Sequence, residues 1–275
     1  MRDILVFDVE TQKSFADIGG QNSEDRFGEL GISVLGVYSY TYGKFLAFRE
    51  HEMQGFEELL KHTDLLVGFN SKRFDVPVIQ PHLEVVDMRT IPHLDILEEV
   101  VEVLGRRLKL DNLVKATLGE GKSGSGLEAL DLWKDGRMTE LTRYCIDDVR
   151  LTRDLYAYGE KHHSVKFVGK DGTTVYTLPV NWGLKNLTVE TYPELFSHAA
   201  REGWQMRVCY EETNVLFGSG EPQELVLDVY AVGDGVLEAF SHTHNTRKIF
   251  AIPKISHPHF TGQQYKVPGN YKRQI

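Results

Sequence analysis

The run ILVFDVE at residues 4–10 ends an apolar stretch with two carboxylates, Asp8 and Glu10, one residue apart. Side chains at i and i+2 of a strand point the same way, so both acids must share one small volume where the strand leaves the core. Two like charges so placed repel, and a cationic neighbour is the simplest resolution. This pair constrains the fold more than any other feature of the chain.

The segments that follow read as alternating strands and helices. GISVLGVYSYTYGKFLAFRE (31–50) gives two strands around Tyr42-Gly43-Lys44, an antiparallel continuation of the first strand. MQGFEELLKH carries Phe56, Leu59 and Leu60 at helical spacing, and DLLVGFN (64–70) is a short strand, parallel to the first if that helix is its crossover. DILEEVVEVLG forms an amphipathic helix with Asp95 as its N-cap and Gly105 at its end. From Met138 to Tyr158 a long helix places Leu141, Tyr144, Cys145, Asp148, Leu151, Thr152 and Leu155 along one face. A hairpin around Asp171-Gly172 and a helix over 191–203 with a Thr cap come next. The chain after Trp204 is short alternating strands, which read as a small barrel or sandwich. The Gly/Ser-rich stretch GEGKSGSG (119–126) is a polar loop without P-loop spacing.

With 41% hydrophobic and 26% charged residues in 275, the composition is that of a globular protein. The opening lacks a signal-peptide pattern and no apolar run approaches the roughly 20 residues of a membrane span, so a cytoplasmic protein with no membrane partner is expected. Cys145 and Cys209 are too few for a disulfide framework and read as reduced, inert thiols. Residues 166–275 hold 11 Lys+Arg against 11 Asp+Glu, so the net charge of −9 lies wholly in residues 1–165. An acidic front argues against a nucleic-acid ligand unless some of the acids hold metal ions. Residues 239–275 carry six Lys/Arg and no acid, a segment suited to phosphate contact.

Two more blocks bring acids to element ends. GFNSKRFDVP sets Asp75 beside Phe74 just after a strand, and YCIDDV sets Tyr144 and Asp148 one helical turn apart. Taken singly, each has an ordinary reading: Asp8 and Glu10 as caps, Asp147 and Asp148 as a solvated helix face, Tyr144 as core. Converging in one pocket, Asp8, Glu10, Asp75 and Asp148 call for divalent cations, and an all-oxygen set favours Mg²⁺ or Mn²⁺ over zinc.

FDVET, GFNSKRFD and YCIDDV, in that order, resemble the three motifs of the DEDD 3′–5′ exonucleases, in the Tyr-containing DEDDy branch that includes polymerase proofreading domains. The resemblance covers about residues 1–160. It implies an RNase H-like α/β fold, a mixed sheet flanked by helices, in a domain spanning residues 1–180. It also implies two metal ions held by Asp8, Glu10, Asp75 and Asp148, with Asp8 bridging them and Tyr144 orienting the attacking water. Thr11, Asn70 and Phe74, in the same motifs, are the expected substrate-side residues. The activity implied is release of nucleoside 5′-monophosphates from the 3′ end of a single-stranded nucleic acid; DNA rather than RNA is the expected substrate, although the sequence does not itself separate the two.

ELVLDVYAVGDGVLEAFSHTHNTRKIFAIPKI resembles the WYL domain, a small Sm- or SH3-like β-barrel, with GVLEAF in place of the WYL tripeptide. The chain then divides into residues 1–180, a helical linker over 181–204 and a barrel over 205–275. Arg247, Lys248 and Lys254, interleaved with Phe250, Phe260 and Tyr265, are its candidate phosphate contacts. The module would take nucleic acid, a small ligand or a protein partner. Two HxH pairs, His242/His244 and His257/His259, suit either a transition metal or ordinary polar roles. Two other functions stay open: a non-catalytic or partner-activated nucleic-acid-binding regulator on a nuclease-like scaffold, and a metal-dependent endonuclease.

Overall fold

A computed structural model describes residues 3–20, 24–121, 126–180, 182, 192–211, 213–214, 218–219 and 222–275. Residues 122–125 of the Gly/Ser-rich stretch and the expected helix cap Thr191 lie outside these. The chain folds into two compact units, Met1–Tyr158 with Lys166–Tyr176, and Gly159–Val165 with Thr177–Ile275.

The first unit is built on a five-stranded mixed sheet. Strand β1 (Asp3–Thr11) is central, pairing antiparallel with β2 (Ile32–Ser39) and parallel with β4 (Thr63–Gly68). The edge strands are β3 (Lys44–Phe48), antiparallel to β2, and β5 (His93–Asp95), parallel to β4. Helix α1 (Met53–Leu60) is the crossover that makes β4 parallel to β1.

Alternation along β1 sorts its side chains to two layers. Leu5, Phe7 and Val9 join Leu35, Val37, Phe56, Leu60 and Leu66 in one core layer, which also receives Val78 and Ile79 at the short helix α2 (Asp75–Ile79). The opposite layer gathers Val34 of β2, Ala129 and Leu132 of α5 (Gly126–Lys134), and Leu141, Tyr144 and Cys145 of the 25-residue α6 (Met138–His162). Asp8 and Glu10, half-buried, share the parity that faces α6. Helices α3 (Ile96–Leu104) and α4 (Leu110–Leu118) lie between β5 and α5 in the chain.

The hairpin expected around Asp171-Gly172 is β6 (Ser164–Val168) with β7 (Val175–Pro179). In the second unit, helix α7 (Tyr192–Glu202) precedes β8 (Trp204–Tyr210), a two-residue pair β9 (Thr213–Asn214) and β10 (Gly218–Ser219), and strands β11 (Gln223–Val232), β12 (Val236–Ser241), β13 (Thr246–Ala251) and β14 (Ile255–Gln264). The five long strands form one antiparallel sheet in the order β13-β12-β11-β8-β14. The small barrel expected over residues 205–275 is therefore not what forms: β13 and β14 end an open sheet. Leu195, Phe196 and Ala199 of α7 pack with Met206, Val208, Leu227, Val229 and Leu237, so the helix covers the apolar face that closure would otherwise have to bury. That also makes the helix part of this unit's core rather than a linker. Among the described residues, no helix is long and apolar enough to cross a membrane.

Candidate active site

The close approach of α6 to the sheet begins at Gly36, the β2 residue paired with Asp8. A Cβ there would stand 2.9 Å from both Cys145 Sγ and Val149 Cγ2, closer than side-chain atoms pack. Without it, Cys145 seats against the strands, its thiol donating to the Asp8 carbonyl at 3.4 Å. Full burial raises the Cys145 pKa well above the ordinary value, so this thiol stays protonated.

With α6 seated, Asp148 is brought against β1. Carboxylate oxygens of Asp8, Glu10 and Asp148 lie within 4.8 Å of one another, the one cluster of metal-ligand type among the described residues. Asp148 is only 2% exposed. At an effective dielectric of about 20, each pair at this separation repels by about 3 kcal/mol, and bound divalent cations would relieve that repulsion. The hard oxygen donors fit Mg²⁺ or Mn²⁺. Tyr144, one turn before Asp148, is hydrogen-bonded to it; burial first, then the charges of Asp148, Glu10 and Asp8, push the phenol far above its ordinary pKa. Its hydroxyl remains a donor.

The second motif is tied down by buried polar groups. Asp95, fully buried, caps α3 by accepting from Leu97 N at 2.9 Å, and also accepts from Asn70 N at 2.8 Å and Lys72 N at 3.0 Å. One carboxylate thus starts a helix and holds the loop after β4. Ser71 Oγ lies 2.8 Å from His93 Nε2, which ties the loop to β5. The loop delivers Asp75, 4% exposed, whose Oδ1 accepts from Val9 N at 3.0 Å. Val9 sits between the two acids of β1, so Asp75 braces the strand that carries them and stands outside the 4.8 Å group.

The remaining predicted residues separate. Asn70, at φ 64°, accepts from Arg107 Nη2 at 2.7 Å through its side-chain oxygen. Phe74 packs edge-on against Phe15 and Phe27, with ring centroids 6.4 and 6.0 Å away. Thr11 Oγ1 donates to Lys13 O at 2.8 Å. In the second unit Arg247 pairs with Glu238, Lys248 lies on β13, and Lys254 on the turn before β14. The HxH pairs do not converge: His242 meets Asp228 at 2.9 Å, His244 Nδ1 meets Ser241 Oγ at 2.9 Å, and His259 turns to the His257 carbonyl. Sequence reasoning missed Gly36 and Arg107. A glycine inside the apolar run of β2 signals a close approach, whereas nothing local marks Arg107 as a neighbour of Asn70.

An α/β unit whose central strand and long helix bring three carboxylates together, with the second motif bracing the strand, is the architecture of a nuclease-type site. Residues 7–159 match the family model described as the RNase_H superfamily, and the chain belongs to that superfamily, whose nucleases typically use divalent metals. No curated protein matches the chain. Among solved structures it is similar to the family B DNA polymerase of the hyperthermophilic archaeon Pyrobaculum calidifontis, at 20% identity and TM-score 0.44, covering 59% of this chain and 25% of that one. It is also similar to a zinc-bound E. coli exonuclease I complex with single-stranded DNA, at 10% identity and TM-score 0.38, covering 93% and 65%. The same enzyme in complex with a dA16 oligonucleotide gives 10% identity and TM-score 0.36, covering 88% and 55%. The chain thus spans less than two thirds of the length of each.

Proposed function

We propose that this chain is a divalent-metal-dependent 3′–5′ exonuclease of the DEDDy type, which hydrolyses single-stranded nucleic acid, DNA in preference to RNA, to nucleoside 5′-monophosphates. The observation that carries the reading is the approach of Asp8, Glu10 and Asp148 oxygens to within 4.8 Å beside the Tyr144 hydroxyl. When bound, divalent cations supply charge neutralisation and Lewis acidity at the scissile phosphate. Asp8, Glu10 and Asp148 would hold them, and Asp75 would serve the same centre by fixing Val9 and with it the spacing of the two β1 acids. Tyr144, kept protonated, donates to Asp148 and would orient a water at that edge. Asn70 and Phe74, in the loop after β4, and Thr11, at the end of β1, are the proposed neighbours of the terminal nucleotide. No side chain acts as a covalent nucleophile.

The test is to incubate wild type and Asp8→Ala with 3′- and 5′-labelled single-stranded DNA and RNA, and with a circular single strand, in Mg²⁺, Mn²⁺ or EDTA. Metal-dependent mononucleotide release from linear DNA, lost in the variant, is the expected result. Cleavage of the circle would replace the exonuclease by an endonuclease, and no cleavage with binding intact would favour the regulator.

A further inference from the structure

The face of the second unit's sheet turned away from α7 does not carry an ordinary solvated pattern. On β11 and β12 the residues facing α7 are Leu227, Val229, Leu237 and Ala239. The intervening positions hold Tyr230, Glu238 and Phe240, and β13 sets Arg247 directly across from Phe240. Glu238 is completely buried, because the end of the chain folds over it: Tyr271 Oη donates to Glu238 Oε2 at 2.9 Å and Gln274 N to the same oxygen at 3.0 Å. Arg247 Nε stands 3.0 Å from the other oxygen. A fully buried carboxylate is costly unless paired, and here all its partners are groups at one pocket or the segment closing it.

That pocket, about 360 Å³, is lined by Tyr230, Phe240, Asn245, Arg247, Asn270 and Tyr271, a size within the range of about 300–1,000 Å³ for small-molecule sites. Tyr230 and Tyr271 stand with ring centroids 5.1 Å apart, and the Arg247 guanidinium lies 5.5 Å from the Tyr271 ring. Glu238 meets Arg247 at its Nε, and the guanidinium forms one wall of the pocket. The Tyr271 hydroxyl, pushed up to about 12 by burial and the adjoining Glu238, keeps its proton and so keeps the closing segment in place. The pocket therefore combines aromatic faces for a flat ring, a pre-oriented guanidinium for an anion, and two amides able both to donate and to accept.

We infer that this pocket binds one nucleotide, with the base against Tyr230, Phe240 and Tyr271 and the phosphate on Arg247. A flat heteroaromatic ring, an anion and polar base edges in one molecule match the three features together. A free nucleoside monophosphate and a nucleotide within a strand share this chemistry. The site rests on the pocket alone; only the physiological source of its ligand rests on the nuclease reading.

The test uses the full chain in EDTA, so that no hydrolysis intervenes. Calorimetric titrations with dAMP, deoxyadenosine, orthophosphate and a (dA)₈ oligonucleotide would be paired with photocrosslinking of 5-iodo-dUMP mapped by mass spectrometry. One dAMP per chain is expected, with deoxyadenosine and orthophosphate each at least tenfold weaker. Arg247→Gln and Phe240→Leu should each weaken dAMP at least tenfold. Crosslinks should fall on Tyr230 or Tyr271, which decides the matter on the wild type even if Arg247→Gln fails to fold. Competition between the oligonucleotide and dAMP would assign the site to strand binding, and absence of competition to the free mononucleotide. No dAMP binding, crosslinks confined to residues 1–158, or a folded Arg247→Gln with unchanged affinity would overturn the inference. A chain that cuts no DNA but crosslinks here loses the nuclease reading and keeps this site; one that cuts DNA without these crosslinks does the reverse.

Discussion

Replacing Gly36 with alanine should disable the site from a position that touches no substrate. The added methyl would meet Cys145 Sγ and Val149 Cγ2 at 2.9 Å, with the Cys145 carbonyl at 3.4 Å. Restoring ordinary separations of about 3.5–4.0 Å requires α6 to retreat by roughly 0.6–1 Å. Overpacking of this kind costs about 1–3 kcal/mol, which lowers Tm by roughly 2–12 °C. The effect on turnover is larger, because Asp148 retreats with its helix from Asp8 and Glu10, and a misplacement of about 1 Å costs about 10²-fold in rate. Mononucleotide release from 3′-labelled DNA at saturating Mg²⁺, with calorimetric melts, reads both quantities. Adding Cys145→Ala and Val149→Ala should recover turnover while lowering Tm further, since those truncations clear the clash and delete buried packing. A Gly36→Ala chain with reduced Tm and wild-type kcat would refute the coupling of helix seating to catalysis.

Four further outcomes follow from the same geometry. Asp75→Asn can still accept from Val9 N and should keep nearly wild-type Tm and activity, whereas Asp75→Ala leaves that buried donor unmatched and should lower activity and cost about 1–3 kcal/mol by denaturant melts. Asp95→Ala removes both the α3 cap and the acceptor for Asn70 N and Lys72 N, and should cost about 2–4 kcal/mol in the same melts. Glu57 is held below its ordinary 4.5 chiefly by the backbone N–H of Val86, and also by those of Val85 and Glu84. Its folded pKa being the lower one, its contribution is complete above pH 4.5 and is lost as pH falls through the folded value; Glu57→Gln should flatten Tm against pH in that acid window. Adding Mg²⁺ at about 100 times its Kd should stabilise the wild type by about 2.7 kcal/mol, and removing it with EDTA should reverse the gain. Asp8→Asn together with Asp148→Asn should abolish that response.

Local geometry made much of the site legible in the sequence. A period of two puts Asp8 and Glu10 on one face of β1, and a period of 3.6 puts Tyr144 and Asp148 one turn apart on α6, whatever the rest of the chain does. Asp95 reads as a helix cap because capping needs only a short polar side chain before an amphipathic run. The sequence by itself thus determined which side chains travel together. Tertiary packing decided what they meet. Asp75 turns its carboxylate to Val9 N, 66 residues away, and α6 meets β2 at the one strand position without a Cβ in its path. The same holds at the other end of the chain. Alternating strands there are equally consistent with a closed barrel, and the sheet stays open because α7 covers its apolar face. Burial of Glu238 likewise depends on the last residues folding back across β12. Short-range periodicity orients side chains about their own backbone, but which element fills the space opposite is a matter of volume and long-range packing, set only when the whole chain has folded.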